Sequence, residues 1–94
     1  MKRLKFNMTA GVNDRVCDDK RFAEFVLNSL KRHFANDFSE CSPDDQEANK
    51  EALKDGSRIF NVFYFNKDKG EKIWIITEAE PYRNITTVLF PEEY

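Results

Sequence analysis

The sequence predicts an α+β fold of strand, helix, helix, strand, strand, strand order, with two helices packed on an antiparallel sheet. Three observations carry this expectation. Apolar residues recur at helical spacing between residues 19 and 35, a Ser-Pro-Asp-Asp start and a glycine stop frame a second helix, and from residue 58 short aromatic and β-branched runs take over. The length of 94 residues suffices for one core and is too short for two, so residues 1–94 are expected to form one compact domain.

The first strand is read at residues 4–9, where alternation places Leu4, Phe6 and Met8 on one half-buried face and Lys5, Asn7 and Thr9 on the other. Gly11 and the Asn13-Asp14 pair are expected to break it. Asp18 or Asp19 then caps a helix over roughly 19–35, with Phe22, Val26, Leu30, Phe34 and Phe38 at intervals of four and Phe25 and Leu27 widening the stripe. Asn36-Asp37 is positioned to end that helix before Phe38.

The second helix opens on Ser42-Pro43-Asp44-Asp45, where serine caps, proline fits the first turn and two acids favour the positive end of the dipole. Gly56 is its natural stop. Its apolar stripe, Ala48, Ala52 and Leu53, is thin, so it is expected to lie along the edge of the core. Residues 59–65 and 72–77 read as a hairpin turned at 66–70 with Gly70 free to take positive φ, and residues 85–90 as a further strand that Pro91 stops. Short connections imply a sequential antiparallel meander, leaving open which edge takes the first strand. Both faces of the hairpin are apolar, so helices are expected over one face and the C-terminal tail or a second subunit over part of the other.

Seventeen acidic against fifteen basic residues give a formal net charge of −2, which favours solubility and disfavours nucleic acid or an anionic membrane as a partner. No apolar run is long enough to span a membrane, and the charged and apolar residues alternating over 1–5 do not read as a signal peptide, so cytoplasmic residence is expected. Cys17 and Cys41 lack the spacing of a metal knuckle or redox pair and read as reduced thiols; no metal or cofactor is expected.

The segments 6–12, 25–33, 72–80 and 86–94 together resemble a family of small uncharacterised bacterial proteins encoded on plasmids and integrative mobile elements. The resemblance covers most of the chain and implies an accessory role on a mobile element. The chain departs from the family at 35–39, where members often carry Gly-Asp-Trp-Gly, and at 78–84, where they have a shorter acidic turn.

His33, the only histidine, is most simply a polar flank beside Phe34. Glu78, Glu80, Tyr82 and Arg83 form the most polar cluster near the sheet; they are the candidates, with His33, for a functional surface, against the simpler reading of a salt-bridged turn. Glu92-Glu93 reads as a solvated strand ending. The element order also resembles that of small RNA-cleaving toxins of the RelE type, in which Arg58, Arg83, His33 and Tyr82 would bind phosphate or transfer protons, but a polyanion substrate fits the net charge poorly. The aromatic surplus, nine Phe, three Tyr and one Trp, agrees better with a non-enzymatic interaction protein. Trp74, Phe63 and Phe65 are the expected contact residues, for a homodimer or an unidentified protein partner.

Overall fold

A computed structural model of the chain describes residues 5–94. Leu4, expected in the first strand, lies outside the described residues. The elements are β1 (Lys5–Met8), α1 (Ala10–Asp18), α2 (Lys20–Phe34), α3 (Pro43–Asp55), β2 (Ile59–Asn66), β3 (Glu71–Thr77), β4 (Ile85–Leu89) and a closing 3-10 turn, Pro91–Glu93. The class is α+β as expected, with one more helix than the sequence indicated. No helix among the described residues is long and apolar enough to cross a membrane.

The strands lie in the order β1-β4-β3-β2. β2, β3 and β4 form the expected antiparallel meander, whereas β1 joins β4 in parallel, Lys5 opposite Ile85 and Met8 opposite Val88. The sheet is therefore mixed, since three intervening helices let the first strand return in the direction of β4. Register between β2 and β3 shifts after Tyr64, and Gly70 takes a φ of 69° in the turn that follows.

The additional helix, α1, covers the stretch where Gly11 and Asn13-Asp14 suggested a break. Thr9, at its N-cap, makes no capping bond of its own. Glu93 does it instead: its carboxylate accepts from the Gly11 N–H at 3.0 Å, the Thr9 hydroxyl at 2.5 Å and the Phe90 N–H at 3.1 Å. Those bonds, the Thr9 hydroxyl foremost, hold the Glu93 carboxyl below the usual range. A Cβ on Gly11 would stand 2.7 Å from Glu93 Oε2, so a larger residue there would push that carboxylate off the amide it caps. Glu93 is thus a cap and not merely a solvated ending. We expect Glu93→Ala and Gly11→Ala each to cost about 1–2 kcal/mol in urea unfolding, and the double variant to cost little more than either. Full additivity would show that the two residues act independently.

α2 begins on Asp19, which accepts from the Arg21 and Phe22 amides. Its buried residues are Phe22, Val26, Ser29 and His33, while Phe34 and Leu27 are exposed. The expected intervals of four drift around the axis: at about 100° per residue, Phe34 sits about 120° from Phe22 whereas His33 sits about 20° from it. His33 is therefore inside and Phe34 outside, the reverse of the sequence reading. Phe38 lies beyond the helix end, past Asn36 at a φ of 60°, and packs with Cys41, Ala52 and Ile59 in a small second core.

α3 starts and stops as expected, Ser42 accepting from the Asp45 N–H and Gly56 closing it at a φ of 79°. It buries Asn49 and Ala52, leaving Ala48 and Leu53 exposed. The main core joins Val12, Phe22 and Val26 to Phe63, Ile73, Ile75 and Val88. On the other face of the sheet the Tyr94 ring reaches back over Phe60 and Trp74, and its hydroxyl accepts from Arg58 at 2.8 Å.

Candidate interaction surface

The two edges of the sheet are treated differently. Along β2 the outward amides of Phe60, Val62 and Tyr64 are each met by a side chain. Asn49, buried on α3, accepts the Phe60 N–H at 3.1 Å and donates to the Phe60 carbonyl at 2.9 Å, which imitates a neighbouring strand. Asn61 Oδ1 accepts the Val62 N–H, and Glu40 Oε1 accepts that of Tyr64. Glu40 is itself held by Arg32, whose guanidinium also binds Asp37. This edge is closed to a further strand.

Among the described residues the edge at β1 has no such cover. Lys5 N–H donates to Asn84 and Thr9 N–H to Val88, so odd-numbered residues of β1 face β4. Phe6 and Met8 consequently turn their N–H and C=O groups outward, and among the described residues no strand pairs with them. β1 was expected to be half-buried, yet all four of its residues are exposed. Phe6 is 57% and Met8 41% exposed, and on α2 so are Phe34 at 44% and, two turns earlier on the same flank of the helix, Leu27 at 55%. The Phe6 and Phe34 rings touch, centroids 5.6 Å apart. Leu53, also exposed, lines a cleft of about 270 Å³ together with Phe34 and extends the apolar surface. The angular positions of Leu27 and Phe34, about 120–140° from Phe22 on a helical wheel, are the sequence signal for this flank.

Beneath it lies a buried polar chain. Asn61 is its hub: Nδ2 donates to the Asp37 carbonyl at 3.1 Å and to His33 Nδ1 at 3.2 Å, and Oδ1 accepts from Cys41 Sγ at 3.2 Å and the Val62 N–H at 3.0 Å. Because Nδ1 accepts, the His33 proton is on Nε2, which donates to Thr77 Oγ1 at 2.7 Å. The Thr77 hydroxyl in turn shares a hydrogen bond with Thr86 Oγ1 at 2.9 Å. Burial lowers the His33 pKa to about 4 and pushes that of the Cys41 thiol up. His33 is thus a neutral structural group with both ring nitrogens engaged.

The loop at 78–84 holds Arg83 against the end of α3, donating to the Ala52 and Ser57 carbonyls, each at 2.6 Å. The Glu80 N–H reaches the Gly56 carbonyl, and the Glu78 N–H that of Ile85. Among the described residues no ion pair joins Arg83 to Glu78 or Glu80, so the turn is pinned by backbone acceptors instead of salt bridges. Tyr82 is exposed. Arg83 and His33 line the same shallow cleft, but the four groups of the toxin-like reading do not converge: His33 faces the interior network, Arg83 the α3 carbonyls, Arg58 the Tyr94 hydroxyl and Tyr82 the solvent.

The expected contact residues are also displaced inward. Phe63 is 0% exposed in the main core, and Phe65 packs edge-on against Phe22 and Phe25 with centroids 5.4 and 5.3 Å away. Trp74 is half-buried between Phe60 and Tyr94. Strand parity decides this: odd-numbered residues of β2 face the helices, which places Phe63 and Phe65 under α2 and leaves the exposed apolar surface to β1 and the flank of α2. No family model, curated protein or solved structure matches the chain.

Proposed function

We propose that the chain acts by protein–protein association through the β1 edge and the adjoining flank of α2, as a non-enzymatic interaction protein. The accessory role on a mobile element that its resemblance implies fits such an activity. One observation carries the reading: Asn49, Asn61 and Glu40 close one sheet edge, while among the described residues the opposite edge is unpaired, with four exposed apolar side chains on it and on the flank of α2. Exposed hydrophobic clusters beside an unpaired strand are a liability to a protein that has no use for them, and a binding surface to one that does.

Charging this surface tests the reading. Phe6→Lys and Phe34→Glu alter side chains that are about half exposed and lie outside the two buried cores, so the urea midpoint is expected to change far less than the binding does. The same substitutions are expected to weaken binding at least about tenfold, measured by comparing what the original and charged chains retain from an extract of the host cell, copies of the chain included. Identical retention by both would overturn the proposal.

A further inference from the structure

We propose that the occupant of the open edge is a second copy of this chain, paired antiparallel through β1 about a two-fold axis at Asn7; this rests on the interaction reading above and names its partner.

The register follows from which groups point outward. Phe6 and Met8 present their N–H and C=O groups on the open side, and Asn7 between them faces β4. With Asn7 on the axis, Phe6 of each copy stands opposite Met8 of the other. Each such pair exchanges two backbone hydrogen bonds, and no outward group of the strand is left over. The pairing keeps Phe6 and Met8 of both copies on the helix-bearing face, where the Phe34 ring of each copy meets its own Phe6. Lys5 falls opposite Thr9 of the second copy, so no like charges meet. A register centred on Lys5 would place two lysines face to face. The product is one continuous eight-stranded sheet with its closed β2 edges at the two ends, an isologous contact that does not propagate.

A four-residue strand and four apolar side chains per copy form a small interface, so the dimer is expected to dissociate in the micromolar range or weaker. Sedimentation equilibrium from about 10 μM to about 1 mM should show a monomer–dimer equilibrium that Phe34→Glu weakens at least about tenfold. The register is read by disulfide trapping in a Cys17→Ser background. Asn7→Cys places two thiols in a non-hydrogen-bonded pair, Cα atoms about 4.5 Å apart, within disulfide span. Lys5→Cys places them about 14 Å apart, beyond it. A covalent dimer from Asn7→Cys and none from Lys5→Cys is the expected result. A monomer throughout the concentration range, or a dimer trapped through Lys5→Cys instead, overturns the proposal. If the chain is monomeric but a different protein is retained in a Phe34-dependent manner, the homodimer fails and the interaction reading stands; if neither occurs, both fail.

Discussion

Replacing Asn61 by Leu is expected to destabilise the fold by about 3–5 kcal/mol, despite a near match in size. The substitution strips the part-buried Val62 N–H, the Cys41 thiol, the Asp37 carbonyl and His33 Nδ1 of a partner at one stroke. Each orphaned group keeps its desolvation cost, which is why an apolar side chain of similar volume does not rescue the site. The measurement is the urea midpoint at constant m-value. A loss below about 1 kcal/mol would show that the network contributes little beyond its packing. Asn61→Asp separates the roles, because a carboxylate at this position accepts a hydrogen bond from Nδ1–H of the imidazolium and should raise the His33 pKa.

The second large effect is an acid transition carried by His33. In the folded chain burial lowers its pKa to about 4, against 6.5 in the unfolded chain. Between those values the unfolded state binds the additional proton. The contribution of neutral His33 is therefore complete above about pH 6.5 and is lost as pH falls toward 4, by roughly 3 kcal/mol. Protonation also puts an N–H at Nδ1 facing the Asn61 amide, two donors opposed. Asp37 acts in a separate, lower window: hydrogen bonds from Ser39 and Arg32 hold its carboxyl at about 2, so its contribution is present above the ordinary carboxylate range and disappears as pH falls through 2. As the chain has one histidine, a single imidazole resonance reports the titration. A midpoint near 6.5 in the folded protein, or stability unchanged between pH 6.5 and 4.5, would contradict this assignment.

Much of the framework was legible because its signals are local. Asp19, Ser42 and Gly56 cap within a residue or two of the helix ends they serve, and residues 59–65, 72–77 and 85–90 announce strands by composition. α1 escaped notice because its capping carboxylate comes from Glu93, far along the chain, and Gly11 reads as a breaker until that approach is seen. The exposed apolar residues differ from those that aromatic content singles out, for a related reason. Aromatic content marked Phe63, Phe65 and Trp74, whereas exposure depends on which strand face the helices cover.

The α+β class, α2 and α3, and the antiparallel meander of the last three strands follow from periodicity and from residues near one another in the chain. Long-range packing sets the rest: β1 lies parallel beside β4, Asn49 and Asn61 close one sheet edge, His33 points inward while Phe34 points out, and Phe6 and Met8 stand on an edge that is unpaired among the described residues. Those outcomes depend on pairings between residues tens of positions apart, where burial and hydrogen-bond satisfaction over the whole molecule select among faces and registers that the local pattern leaves equivalent.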